Sequence, residues 1–295
     1  MRKILKNKSW GSLIFDVIII IVMAVFCMAI CYPLWYILVI SFNDGADAIR
    51  GGIYFWPREF TLENYKMVLN DSSIIKGYAV TLARTVIGTF TSVFFTAATA
   101  YAFSKEELVG RKLYLGMGTV SLIFSGGLIP FFLLLKGLHL LDTFWVYIIP
   151  SLFGFYNCII FMSFFRSLPA SLEEAAMVDG CNELGRFFKI VIPLSKPVLA
   201  TIALFNGVWH WNDYFSGVVY VNNPDLVPVQ TILYRTVASA STGKWTAAPG
   251  ITDKMNSSMG LKFATMVIVT LPIMMVYPFL QKYFVKGIMV GAVKG

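Results

Sequence analysis

The stretch VWHWNDYF (208–215) places indole, imidazole, amide, carboxylate and phenol groups side by side within an apolar run. Aromatic faces next to hydrogen-bonding edges suit sugar rings, which have apolar faces and rims of hydroxyl groups. The alternative is that these side chains hold helices together. Five residues of this stretch are therefore candidates for lining a ligand pathway: Trp209, His210, Asn212, Asp213 and Tyr214.

Two ionisable residues, Arg84 and Asp213, lie inside long apolar runs. A charge at the centre of a membrane span costs on the order of 2.5–3.5 kcal/mol by insertion scales, so such a residue is a functional candidate by default. The predicted spans place both at similar depths, which permits either an ion pair or a shared cavity. Alternatively, Arg84 extends its side chain to the membrane surface.

A polar stretch at 167–197 interrupts the apolar sequence. Ser171 and Glu174 form the S-x-x-E spacing of a capping box, which predicts a helix over 172–179. Gly180 can adopt the left-handed conformation that ends a helix. A second helix is predicted over Asn182–Ile192. We interpret this rigid pair as a docking element, with packing on the chain's own spans as the alternative.

We predict no catalytic, cofactor or metal site in this chain. The nearest match to a phosphate-binding G-x-x-x-x-G-K-[ST] loop, at 180–187, lacks both the lysine and the hydroxyl. The two histidines, His139 and His210, have no triad around them. No C-x-x-C pair occurs among the four cysteines, which are Cys27, Cys31, Cys158 and Cys181.

The composition indicates a polytopic membrane protein with an all-α fold. The chain of 295 residues is 57% hydrophobic and 14% charged, with a mean hydropathy of +0.71. A soluble domain carries about 25% charged residues. A hydrocarbon layer of ~30 Å takes about 20 helical residues to cross. Six runs are long enough to be transmembrane helices: Val17–Ile40, Ala79–Phe103, Leu113–Leu135, Thr143–Phe165, Val198–Val221 and Phe263–Leu280.

Lysine and arginine are denser at the N-terminus, at 105–112, at 166–197 and in the tail than in the longer loops on the opposite side. The positive-inside rule then places both termini in the cytoplasm. The net charge of +8 is divided among short cytosolic loops, which argues against nucleic acid as a partner.

The polar stretch resembles the EAA motif of importer-type ABC permeases, E-A-A-x-x-x-G followed nine residues later by I-x-x-P. The matching positions are Glu174, Ala175, Ala176, Gly180, Ile190 and Pro193. Asp179 gives the D-G form of the sugar permeases, whereas Ile192 replaces the usual leucine before the proline. The W-N-D-Y run and the final segment, 277–295, resemble maltose-type permeases, so the resemblance covers nearly the whole chain.

The resemblance implies a permease subunit of a bacterial carbohydrate importer, for an oligosaccharide, in the inner membrane. Residues 1–16 would be a cytoplasmic N-terminus, 17–285 the permease domain with its coupling loop at 167–197, and 286–295 a cytoplasmic tail. The coupling helix would include Glu173, and four tail residues would contact the ATPase: Lys286, Gly287, Lys294 and Gly295.

The implied partners are a second homologous permease, a cytosolic ATPase dimer that binds ATP and magnesium, an extracytoplasmic sugar-binding protein and membrane lipid. The loop Asn222–Lys262 would meet the binding protein. This subunit would line the path rather than bind sugar tightly. The main alternative is an ion-coupled secondary transporter or channel, and a lipid-modifying enzyme is a third class.

Overall fold

The computed structural model describes residues 10–242 and 259–292, and its regular secondary structure there is helical apart from one isolated bridge between Asn43 and Phe60. Its longer α-helices are α1 (Trp10–Ser41), α4 (Ser72–Ser104), α5 (Arg111–Ile123), α6 (Leu128–Gly137), α7 (Phe155–Arg166), α8 (Ala170–Val178), α11 (Lys196–Asn212), α13 (Val229–Thr242) and α14 (Met259–Ala292). The short α-helices are α2 (Gly45–Ile49), α3 (Glu63–Leu69), α9 (Glu183–Arg186), α10 (Ile192–Leu194) and α12 (Phe215–Val219). Single turns of 3₁₀-helix occupy Phe144–Tyr147, Ile149–Ser151 and Pro224–Leu226, and a π-helical turn occupies Phe187–Val191.

Three helical segments in the described part of the chain are long and apolar enough to cross a membrane without a break. They are Ile14–Ser41, Ser72–Ser104 and Met259–Val276. Two bent pairs of helical segments, Phe144–Ser151 with Phe155–Arg166 and Glu183–Leu194 with Lys196–Val219, bring the total to five if each pair is one span. The all-helical membrane fold is therefore confirmed, while the count of six spans stays a prediction.

The helices in the predicted spans 113–135 and 143–165 are both interrupted. Residues 124–127, FSGG, separate α5 from α6, and Gly127 has φ +82°, a conformation that strains residues with a side chain. In the second case two 3₁₀ turns precede α7 at a bend of 46°. Pro150 contributes to this interruption because it has no backbone N–H to donate.

The predicted span 198–221 is also interrupted. α11 ends at Asn212, Asp213 has an extended backbone, and α12 begins at Phe215. A second bend, of 82°, lies before α11 at Ser195. Apolar composition predicts that a segment lies in the membrane but does not reveal where its backbone leaves the helix.

The described structure forms two compact units. Of the described residues, one unit comprises 10–70 and 259–268. In it, Asn64 donates to the carbonyls of Ser41 and Asn43, at 3.0 and 2.9 Å, and Asp47 pairs with Arg58 at 3.2 Å. These polar bonds fix α2 and α3 beside the end of α1.

The second unit comprises the described residues 71–242 and 269–292, and α4 is its central helix. α4 packs along α7 and α11 through a core of small and aromatic residues. Gly88 allows the close approach of α11, because a Cβ there would overlap the ring of His210. The buried core residues of this contact include Ala97, Ala100, Phe161, Phe165, Val191 and Ile202.

The stretch 167–197 begins differently from the prediction. α8 starts at Ala170 after Pro169, and no side chain caps its N-terminus, so the capping box from Ser171 to Glu174 is wrong. Pro169 explains the earlier start, since its fixed φ suits the beginning of a helix. Ser171 therefore lies within the first turn rather than before it.

The end of α8 confirms the role of Gly180. Its φ is +74°, its N–H donates to the carbonyl of Met177 at 3.0 Å, and the N–H of Cys181 donates to that of Ala176 at 2.9 Å. This pair of bonds is the Schellman motif. Asn182 then caps α9 by accepting from the N–H of Gly185 at 2.8 Å.

Candidate functional site

Arg84 and Asp213 form a buried ion pair between α4 and the end of α11. Arg84 Nη2 lies 2.6 Å from Asp213 Oδ2, and the two side chains are 0% and 8% exposed. Of the alternatives that the sequence left open, the structure shows the ion pair, and Arg84 is buried rather than extended to the membrane surface. Burying one charge alone would be strongly unfavourable, so each residue compensates the charge of the other and allows it to be buried.

The pair also satisfies the backbone where α11 ends. Arg84 Nη1 donates to the carbonyl of Asp213 at 3.0 Å, and the N–H of Ser216, in α12, donates to Asp213 Oδ1 at 3.2 Å. The ring of Tyr147 lies 4.4 Å from the Arg84 guanidinium carbon, which adds a cation–π contact. Arg84 therefore holds the break between α11 and α12 in place.

A cavity of about 780 Å³ adjoins this break. Its wall combines aromatic rings with hydroxyl, amide and carboxylate groups, the combination that suits a sugar. Trp209 and Asp213 are the sequence candidates that line it. The other lining residues include Ser92, Phe131, Tyr147, Ser151, Tyr156, Asn157, Asn206, Phe215, Ser216 and Tyr220.

The remaining pathway candidates do not line this cavity. His210 is fully buried against Gly88, and neither ring nitrogen has a hydrogen-bond partner among the described residues. Asn212 is exposed and donates to the carbonyl of Val208 at 2.9 Å. Tyr214 stacks on Tyr234 of α13, with ring centroids 4.5 Å apart.

The carboxylate of Asp142 binds the backbone of the segment that follows α12. Its Oδ1 accepts from the N–H groups of Asn222 and Asn223 at 2.5 and 2.8 Å. These backbone hydrogen bonds, that of Asn223 first, lower the pKa of the Asp142 carboxyl. Because the N–H of Asp142 in turn donates to the carbonyl of Tyr220 at 3.0 Å, this clamp also holds a cavity residue.

The motif residues of α8 are mostly exposed, and no residue of this helix is fully buried. Val178 is 88% exposed and Met177 is 56% exposed. Glu174, Ala175, Asp179 and Gly180 are exposed too, whereas Ala176 is half-buried. The helix therefore presents a largely free surface with both apolar and acidic groups, as a docking element requires.

Glu173 differs from its neighbours because it binds within the chain. Its carboxylate pairs with Lys105 at the end of α4 and accepts from the hydroxyl of Tyr101 at 3.3 Å. Further along the motif, Ile190 is half-buried in the π-helical turn and Pro193 is exposed in α10. Of the tail candidates, Lys286 and Gly287 fall within the backbone of α14, and Lys294 and Gly295 lie outside the described residues.

Residues 3–290 match the family described as binding-protein-dependent transport system inner membrane component. The chain belongs to this family. It is 42% identical to Protein LplC of Bacillus subtilis over 89% of both chains. It is 37% identical to the polygalacturonan/rhamnogalacturonan transport system permease protein YtcP of the same organism, over 96% of this chain and 99% of that one.

A solved structure agrees with these relatives. A chain of a bacterial ABC transporter involved in the import of the acidic polysaccharide alginate matches with a TM-score of 0.84. The two chains are 32% identical, and the match covers 94% of this chain and 99% of the other. The resemblance seen in the EAA motif is thus confirmed, and this inner membrane component is a permease subunit of an ABC importer.

Several residues of the permease cavity were missed by the sequence reasoning. Ser92 and Asn206 are polar residues within apolar runs, with Ser92 Oγ 3.2 Å from Asn206 Oδ1, and their polarity was the available signal. Tyr147 and Tyr220 gave no such signal, because aromatic residues are common in apolar spans. Their role emerges from the interrupted helices that bring them to the same cavity.

Proposed function

We propose that this permease carries a carbohydrate, specifically an oligosaccharide, across the inner membrane of a bacterium. The aromatic and polar cavity of about 780 Å³ beside the α11–α12 break is the observation that carries the proposal. The names of relatives support it, since they refer to polygalacturonan or rhamnogalacturonan, arabinooligosaccharides and galactooligosaccharides. Within the cavity wall, Trp209 offers a stacking face and Asp213 a hydrogen-bond acceptor.

We further propose six spans with both termini in the cytoplasm. Each bent pair then counts as one span, and α5 with α6 forms the third despite the break at 124–127. The loops at 105–112 and 167–197 lie on the cytosolic side in this arrangement. The divisions at 1–16, 17–285 and 286–295 follow from the same topology.

In the proposed importer, α8 docks on a cytosolic ATPase subunit, which binds ATP and magnesium and hydrolyses the ATP. Glu174, Ala175, Ala176, Asp179 and Gly180 form the contact, and the exposure of all of these except the half-buried Ala176 supports this role. Ile190 and Pro193 belong to the same motif and stabilise the turns that follow α8. The tail residues Lys286, Gly287, Lys294 and Gly295 make further contacts with the ATPase. The other partners are a second permease, which completes the path, and an extracytoplasmic sugar-binding protein.

Ion-coupled transport is less favoured by the geometry. Both carboxylate oxygens of Asp213 already accept hydrogen bonds, from Arg84 and from the N–H of Ser216. A carboxylate held in this way is a poor carrier of protons or cations. The described residues also contain no group of three or more histidine, cysteine, aspartate and glutamate residues that could hold a metal ion.

The proposal is tested by uptake into proteoliposomes. The chain is reconstituted with the permease, ATPase and binding protein that co-purify with it from the native membrane, and the complex is supplied in turn with galacturonan, rhamnogalacturonan, arabinan and galactan oligosaccharides. We expect uptake of one class that needs both ATP and the binding protein and persists with a protonophore. Uptake by this chain without the ATPase, driven by a proton gradient, would instead establish the ion-coupled alternative.

A further inference from the structure

On the premise, proposed above, that α8 docks on an ATPase, we propose that α4 is the rod that carries its motion to the cavity. Tyr101, Lys105 and Glu173 are the positioning residues that fasten α8 to this rod, and Arg84 is the residue through which the rod acts on the cavity wall. Both ends of one helix would thereby connect nucleotide-driven movement to the sugar path.

The fastening lies where α4, α8 and α9 meet. Lys105 pairs with Glu173 of α8 and lies 4.6 Å from the centre of the Tyr101 ring. The Tyr101 hydroxyl lies 3.1 Å from Glu183 Oε2, and Glu183 pairs with Arg186, whose side chain is buried. Among the described residues, Glu173 makes the side-chain hydrogen bonds that join α8 to the rest of the chain.

The cluster of Tyr101, Lys105 and Glu173 is attached to the apolar core through Tyr101. Tyr101 is buried, and its ring packs against Phe187 and Phe165 with centroids 5.3 and 6.4 Å apart. A partly buried ion pair with several hydrogen bonds is held more firmly than an exposed one. A displacement of α8 is therefore transmitted to the end of α4 instead of being absorbed locally.

α4 is suited to carry such a displacement. It runs without interruption from Ser72 to Ser104 and contains no proline, whereas α1 contains Pro33 and α14 contains Pro272 and Pro278. Between Lys105 and Arg84 it covers roughly 30 Å, at about 1.5 Å per residue. Coupling between distant sites is carried by such contiguous, stiffly packed elements.

The other end of the rod contacts the cavity wall where the helix is interrupted. Arg84 bonds both the carboxylate and the carbonyl of Asp213, where the backbone leaves the helix between α11 and α12. Sharp changes in helix direction occur at such breaks in the hydrogen-bond ladder. A shift of α4 would therefore move Asp213 and Trp209 relative to the rest of the cavity.

The test uses the complete complex in proteoliposomes and measures the ratio of sugar molecules imported to ATP molecules hydrolysed. Both rates are normalised to the amount of assembled complex. We expect Lys105→Glu and Glu173→Lys each to lower this ratio about tenfold, within the range of typical coupling energies. The double variant, which restores opposite charges, should recover to within about threefold of the wild type, since the two residues interact directly. Lys112→Glu, the same reversal at an exposed lysine of α5, is the matched control and should leave the ratio unchanged.

Tyr101→Phe distinguishes a loss of coupling from a loss of assembly, because this variant keeps the packed ring and removes only the hydroxyl. We expect it to lower the ratio about threefold while the complex still forms, a loss of about one hydrogen bond. An unchanged ratio in Tyr101→Phe, or a double reversal that recovers nothing, overturns the proposed rod. A wild-type complex that imports no sugar with ATP would instead refute the proposed function itself.

Discussion

At the scale of single residues, the buried pair Arg84–Asp213 and the stretch 208–215 determine the chemistry of the cavity wall. Arg84 and Asp213 stood out because a charge in an apolar run needs a partner, and the structure provides it. VWHWNDYF identified the right region, but only two of its five candidates line the cavity. A helix presents successive residues in different directions, so neighbours in sequence divide between the cavity, the α4 contact and the exposed surface.

Trp209 and Asn212 provide a matched test of the cavity. Trp209→Ala removes an aromatic face from the wall and should lower ATP-driven uptake about tenfold, since an aromatic contact contributes about 0.5–1.5 kcal/mol beyond the area that it buries. Asn212→Ala removes an exposed amide that bonds its own helix and should transport normally. Uptake and ATPase co-purification are measured together. Equal uptake by the two variants would contradict the assignment of the cavity.

The Arg84–Asp213 pair predicts non-additive stability. Asp213→Leu leaves a buried guanidinium without its carboxylate and should destabilise the permease by about 3–5 kcal/mol, as should Arg84→Leu. The double variant should lose less than either single change, because no unpaired charge remains. Thermal unfolding of the purified complex measures this. Lys76→Leu, which breaks the exposed pair with Asp225, is the control and should cost under about 1 kcal/mol.

Asp142 predicts a pH dependence. Its hydrogen bonds lower its pKa in the folded chain, so their contribution to stability is present above the unfolded value of about 3.9 and is lost as pH falls through the folded value. Asp142→Ala should therefore be less stable than the wild type at pH 7, with a difference that narrows below about pH 4. The melting temperature at each pH measures this difference. A gap that widens on acidification would have the wrong sign.

At the scale of elements, composition predicted membrane helices but not their interruptions. The sequence signal for the break at 124–127 is the pair Gly126 and Gly127, and the signal for the break at Asp213 is a charged residue. Both signals are local and ambiguous in an apolar run. The end of α8 was predictable because glycine is specifically favoured at a left-handed position. Its start was not, since Pro169 initiates the helix ahead of the capping-box serine.

Gly180 tests whether the geometry of the α8 end matters. Gly180→Pro fixes φ near −65° and removes the N–H that bonds Met177, so the turn cannot form. We expect membrane insertion to persist while the ATPase no longer co-purifies. Gly180→Asn is the matched control, because asparagine tolerates a positive φ and should retain the ATPase. Loss of the ATPase from both variants would indicate a requirement for small size instead.

At the scale of the whole molecule, the cavity and the exposed surface of α8 belong to one transport cycle only if a partner occupies that surface. Glu174 is exposed there and makes no ion pair among the described residues, so its carboxylate is available to a cation on the ATPase. Glu174→Lys should abolish both co-purification of the ATPase and uptake while leaving the amount of inserted permease unchanged. Glu107→Lys applies the same reversal to an exposed residue outside α8 and should leave both unaffected. Normal ATPase recovery with Glu174→Lys would place the docking surface elsewhere, and the proposed path from α8 through α4 to the cavity would then lose its starting point.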